Sequence, residues 1–125
     1  MDAARQEQLF SKFPQIFQER ATSATESAMC WGLQVGDGWH PLIDALCTQL
    51  QRLTDEDGAP QIVATQVKEK FGSLRFHTRE SDERQKAMIE LAREISVRTC
   101  DVCGAPGKTV STQRMVATRC TEHFE

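Results

Sequence analysis

With 125 residues, 39% of them hydrophobic and 26% charged, the chain has the size and composition of one globular domain, which argues against disorder over most of its length. No apolar run reaches the roughly 18 residues of a membrane span, and Met1-Asp2-Ala3 lacks the basic-then-apolar order of a signal peptide; a cytoplasmic protein without a membrane partner is expected. The net charge of -3 is uneven: residues 1–60 hold four Lys+Arg against nine Asp+Glu and residues 61–125 eleven against nine, which does not suggest a dedicated nucleic-acid binder.

In residues 3–20, Leu9, Phe10, Phe13, Ile16 and Phe17 recur at helical spacing. Pro14 interrupts the pattern, so two short helices or one kinked helix are expected. Small and polar residues from Ala21 to Ser27 suit a connection. Cys30 to Val35 reads as an extended piece running into the turn signature Gly36-Asp37-Gly38. From Trp39 the period is again helical, with Leu42, Ile43, Leu46, Leu50 and Leu53 on one face and Pro41 in the first turn.

This helix should end near Asp55-Glu56-Asp57-Gly58-Ala59-Pro60. Ile62 to Glu69 and Leu74 to Thr78 then form a hairpin in which Gly72 supplies a positive φ. A helix follows over 82–97, N-capped from Ser81-Asp82-Glu83 and carrying Met88, Leu91, Ala92 and Ile95 on its apolar face. The last 28 residues are too poor in large apolar side chains to hold together by burial alone.

Three of the five cysteines explain what holds them. Cys100-Asp101-Val102-Cys103-Gly104 supplies CxxC and Cys120-Thr121-Glu122-His123 supplies CxxH. A two-residue spacer lets both members of each pair reach one tetrahedral ion, which points to a structural Cys3His site for Zn2+. A redox CxxC is the competing reading, but that motif opens a helix after a strand and brings no second ligand pair. Four protein ligands leave no position for an activated water, so the metal is a staple. The odd cysteine count fits a reducing compartment, with Cys30 and Cys47 as small buried hydrophobes. Once metallated, residues 98–125 are about neutral, a poor phosphate clamp and a reasonable protein-binding surface.

Two further clusters carry alternatives. Asp37 and His40 are an acid/base pair beside Trp39 on one reading; on the other, Asp37 caps the following helix and Trp39 packs on it, and no nucleophile accompanies them. Lys68, Lys70, Arg75 and Arg79 interleave with Phe71 and Phe76, as in single-strand nucleic-acid platforms. A half-buried hairpin gives the same alternation, with Leu74 and Phe76 inward and Arg75 and His77 outward.

The motifs GDGW at 36–39, VKEKFGSLRF at 67–76, TCDVCGAPG at 99–107 and RCTEH at 119–123, in that order, resemble a family of small zinc-knuckle proteins encoded by tailed bacteriophages and prophages. The resemblance spans roughly residues 30–123 and implies a phage accessory protein; only the zinc ligands carry over with a role. Relatives have a cysteine beside the glycine where this chain has Gln34-Val35, which argues against a second metal site.

The reading is thus an α+β domain over 1–125, with helices, a β-hairpin and a zinc-stapled lobe over 98–125 of ribbon or treble-clef type, ligated by Cys100, Cys103, Cys120 and His123. The expected function is non-enzymatic: engagement of a host protein complex in the bacterial cytoplasm, in the manner of a defence inhibitor such as one acting on CRISPR-Cas. Lys68, Arg75, His77 and Arg114 are the expected contact residues. The alternative is a nucleic-acid-binding zinc protein using the basic hairpin.

Overall fold

The computed structural model describes residues 1–124 and has the α+β architecture expected. Helix α1 (Ala3–Lys12) is capped by Asp2, whose side chain accepts the N–H of Arg5. It stops short of Pro14. Phe13, forced out of helical geometry by the following proline, adopts φ -126 and ψ 63, and residues 14–22 continue as turns, so the second helical piece does not form. Its apolar residues still go inside: Ile16 and Phe17 are buried, and the Phe10 and Phe17 rings lie 5.2 Å apart.

Only Leu33–Gln34 of the expected extended piece is strand, β1; Cys30 and Trp31 belong to a 3-10 turn over Ala28–Trp31 that Ser27 caps. A second 3-10 turn, Asp37–Trp39, leads into α2 (His40–Asp57), whose apolar face buries Ile43, Leu46, Cys47 and Leu50. Strands β2 (Ala64–Lys70) and β3 (Ser73–Thr78) form the hairpin. Both residues of its two-residue connection have positive φ, Phe71 at 53° and Gly72 at 83°, the primed geometry that matches strand twist.

Strand β1 pairs in parallel with β2, so the sheet has three strands in the order β1-β2-β3, with α2 as the crossover. Two residues are too short a run for sequence periodicity to signal. Helix α3 (Glu83–Ser96) opens on a complete capping box between Asp82 and Gln85. Its apolar face is only partly covered: Ala92 is buried, whereas Leu91 is 61% and Ile95 42% exposed.

The central core draws on Leu9, Phe17, Met29, Trp39, Ile43, Leu50, Val67 and Phe76, and extends no further along the chain than Ala92. The C-terminal lobe lies outside it. There, β4 (Lys108–Ser111) and β5 (Val116–Arg119) form a separate hairpin, followed by a 3-10 turn over Thr121–His123. Knuckle, hairpin and 3-10 turn follow one another in that order along the lobe. Among the described residues, no helix is long and apolar enough to cross a membrane.

Candidate metal centre

The chain leaves α3 at Ser96 and folds Thr99 to Gly104 into a knuckle. Cys100 N–H donates to the Ala105 carbonyl at 2.8 Å and Gly104 N–H to the Cys100 carbonyl at 2.9 Å, with Gly104 at φ 81 as the tight turn requires. The second pair comes from the end of β5 and the 3-10 turn after it. Together they place Cys100, Cys103 and Cys120 Sγ and a ring nitrogen of His123 all within 4.8 Å of one another.

Cys103 and Cys120 Sγ are 3.7 Å apart, as are Cys100 Sγ and His123 Nδ1, while Cys120 Sγ and His123 Nδ1 are 3.2 Å apart. A tetrahedron built on zinc–sulfur bonds of about 2.3 Å has edges of about 3.8 Å, so the donor set fits one tetrahedral metal ion. Burial alone would raise the Cys100 thiol, but N–H groups of Cys120, Cys103 and Val102 outweigh it and bring the thiol down to about 6. At Cys103 the Ala105 N–H lowers the thiol, but desolvation and the neighbouring Cys120 and Cys100 prevail and raise it. Neighbouring sulfurs that resist joint ionisation are what a shared cation resolves.

The knuckle is seated on the GDGW segment, a relationship that reading the motifs separately misses. Gly38 N–H donates to the Asp101 carbonyl at 3.0 Å, and the Trp39 indole, fully buried, donates from Nε1 to the Thr99 carbonyl at 2.9 Å. A Cβ on Gly36 would lie 2.0 Å from the Asp101 oxygen, and one on Gly38 2.2 Å from the Cys100 oxygen. Both glycines are therefore there for close approach of the knuckle. On the other side, buried Thr118 donates from its hydroxyl to the Gly72 carbonyl at 2.6 Å, joining β5 to the tip of the β2–β3 hairpin. Asp101 and Arg119 form a largely buried ion pair at 3.2 Å between knuckle and hairpin.

This corrects the expectation that Asp37 caps α2. No side chain caps that helix; Asp37 Oδ1 accepts the N–H of Asp2 at 2.7 Å, and Arg5 lies 3.7 Å from its other oxygen. Asp37 has turned toward the N-terminal segment, where Met1 N also donates to the carbonyls of Leu33 and Val35. The carboxylate is thus engaged away from His40, whose Nε2 is enclosed without a hydrogen-bond partner. Cys47 is buried in α2, and burial, reinforced by Asp44 and opposed by Lys12, pushes its thiol up.

The expected contact residues are placed as follows. Lys68 and Arg75 face each other across β2 and β3, with His77 one row further along, opposite Gln66. His77 is exposed and the other two are half-buried. Arg79, the fourth cation of the strip, is taken up in a bidentate pair with Glu19. Arg114 does not join this face: it is exposed in the turn between β4 and β5, where Thr112 Oγ1 accepts its backbone N–H at 3.3 Å.

No protein-family model matches the chain, and searches of curated proteins and of solved structures return no match.

Proposed function

We propose that the chain is a non-enzymatic binding protein whose C-terminal lobe is stapled by one Zn2+ held by Cys100, Cys103, Cys120 and His123. The observation that carries this reading is the convergence of those four side chains, with donor atoms within 4.8 Å, in a lobe that contributes nothing to the central core. Three thiolates and an imidazole are a donor set zinc favours, and four protein ligands close its coordination sphere against water activation. The competing candidate for chemistry is occupied structurally: Asp37 ties down the N-terminal segment instead of meeting His40.

The partner in this reading is a host protein complex in the bacterial cytoplasm, and the chain a phage accessory protein acting as an inhibitor of host defence, of which CRISPR-Cas is one instance. Its support is the order of the GDGW, VKEKFGSLRF, TCDVCGAPG and RCTEH motifs. The structure adds that the first and third of these pack directly on each other. Nucleic-acid binding is the second reading, favoured by Phe71, which is 68% exposed at the hairpin tip with the Lys70 ammonium 5.8 Å from its ring centroid.

Tagged protein purified from an expressing bacterial host, with elemental analysis and mass spectrometry of what co-purifies, tests the reading. One zinc per chain and a host protein retained through salt washing are expected. Absence of stoichiometric metal removes the staple, and turnover of a small molecule by the purified protein removes the non-enzymatic assignment. Mobility shifts at two salt concentrations test the second reading: generic DNA or RNA bound at micromolar strength in physiological salt, and less so at higher salt, puts it first.

A further inference from the structure

The outer face of the three-stranded sheet carries an arrangement that its own folding does not explain. Lys68 on β2 lies directly opposite Arg75 on β3, and Gln34 on β1 completes the row. Lys70 occupies the next row, toward the hairpin tip. Like charges facing each other across a ladder destabilise it. The usual remedy is a carboxylate nearby, and none of the strand positions on this face supplies one. Glu69, the acid of this hairpin, is on the other face, where its Oε2 accepts the Gly72 N–H at 2.8 Å.

Among the described residues, none of Lys68, Lys70 and Arg75 has an acidic group within salt-bridge distance. The Arg75 Nε is enclosed and without a hydrogen-bond partner. Arg79 shows the contrast, since its cation, a few residues along, is held through Nε and Nη2 by Glu19. Two like charges held face to face across the ladder, with no carboxylate to separate them, leave room for an anion supplied from outside.

The form of the patch selects among anions. A bound single strand of nucleic acid uses a long cationic track with several rings for base stacking. Here the cations fill only two neighbouring rows, and the strand positions of this face carry no Phe, Tyr or Trp, their one ring being the His77 imidazole opposite Gln66. At the tip beside the cations stands the exposed ring of Phe71, held out by its left-handed backbone. A compact charged group next to one rigid aromatic anchor is the composition of a protein–protein hot spot.

We propose that this face is a docking site for a carboxylate cluster on a partner protein. Lys68 and Arg75 take the carboxylates, the guanidinium through its terminal Nη groups because its Nε is enclosed, and Phe71 enters an apolar depression beside them. The proposal rests on the protein-binding reading above and names the chemistry of the surface that reading requires.

The zinc-loaded full chain is titrated against a labelled poly-glutamate peptide and, separately, a labelled oligothymidylate of equal charge. The peptide is expected to bind, roughly tenfold more weakly to Lys68→Gln and to Arg75→Gln. Both variants are expected to melt no lower than the parent, because each relieves the repulsion. Peptide affinity unchanged in the variants, or no peptide binding by the parent, overturns the site, and tighter binding of the oligothymidylate replaces it with the nucleic-acid reading. A variant that melts lower shows that the row serves folding, which also overturns it. Parallel capture from host lysate separates the two levels: a partner retained equally by parent and Lys68→Gln leaves the binding reading standing and removes this site, whereas no partner for the parent removes the reading itself.

Discussion

The main-chain N–H of Gly38 donates to the carbonyl oxygen of Asp101 at 3.0 Å, joining the turn before α2 to the middle of the cysteine knuckle. A Cβ at position 38 would come within 2.2 Å of the Cys100 oxygen and 2.6 Å of the Gly104 nitrogen, both backbone atoms that no rotamer change can move. Gly38→Ala is therefore expected to displace the knuckle, at a cost of about 2–4 kcal/mol. Urea denaturation measures the stability loss, and competition with a zinc chelator should show weaker metal retention although no ligand has been touched. Gly58→Ala is the comparison, since open space surrounds that glycine and only its left-handed φ of 71° is strained.

Metal removal should act locally before it acts globally. The core extends no further than Ala92, so α1, α2 and the sheet keep their burial when the lobe loses its staple. Chelation at neutral pH is expected to leave helical circular dichroism nearly unchanged while altering the environment of Trp39, whose Nε1–H is bonded to Thr99 at the foot of the knuckle. Fluorescence in a Trp31→Phe background reads this, because Trp31 is 65% exposed and would otherwise mask it. Cys103→Ser should reproduce the metal-free spectrum, and an unchanged spectrum on chelation would show that the lobe holds without metal.

The elements set by local chemistry were legible in the sequence: the 3.6-residue period of α2, the capping signals before α3, the Phe71-Gly72 turn and the CxxC–CxxH tetrad. What escaped depends on which segments meet. Gly36 and Gly38 look like ordinary turn glycines until Asp101 and Cys100 are brought against them, and Asp37 stands where a cap would stand but finds the Asp2 N–H instead. The parallel strand β1 is fixed by pairing with Val67 and Lys68, more than thirty residues away. Leu91 and Ile95 follow the helical pattern and are nevertheless exposed, because the buried side of α3 is taken up by Gln85, Ala92 and Ser96.

Ser96 shows how a polar residue becomes indispensable on that side. It is fully buried, its hydroxyl accepts the Leu74 N–H at 2.9 Å on the open edge of β3, and it donates to the Arg93 carbonyl at 2.6 Å. Ser96→Ala leaves a buried backbone donor without a partner, which is expected to cost about 1–3 kcal/mol in urea denaturation. Ser111→Ala, on the exposed hairpin of the lobe, should change stability by less than about 0.5 kcal/mol.

The pair between Glu19 and Arg79 should give the protein part of its acid sensitivity. Arg79 donates from Nε at 2.6 Å and from Nη2 at 2.8 Å to the two Glu19 oxygens, fastening the turns after α1 to the end of β3. The hydrogen bond from Arg79 holds the Glu19 carboxyl below its ordinary 4.5, against the opposing effect of burial. A carboxyl depressed in the folded state stabilises the fold above its unfolded value, and that contribution is lost as pH falls through the folded value. Stability measured at successive pH values should therefore drop more steeply below about pH 4.5 in the parent than in Glu19→Gln. At neutral pH Arg79→Ala is expected to lower stability modestly, since it removes the partner of the Glu19 carboxylate from a pair that solvent partly screens. The deficit should shrink as pH falls through the depressed Glu19 value and the carboxyl becomes neutral in the parent as well; a gap independent of pH would mean that Arg79 acts through its bond to the Glu26 carbonyl at 3.1 Å rather than through the ion pair.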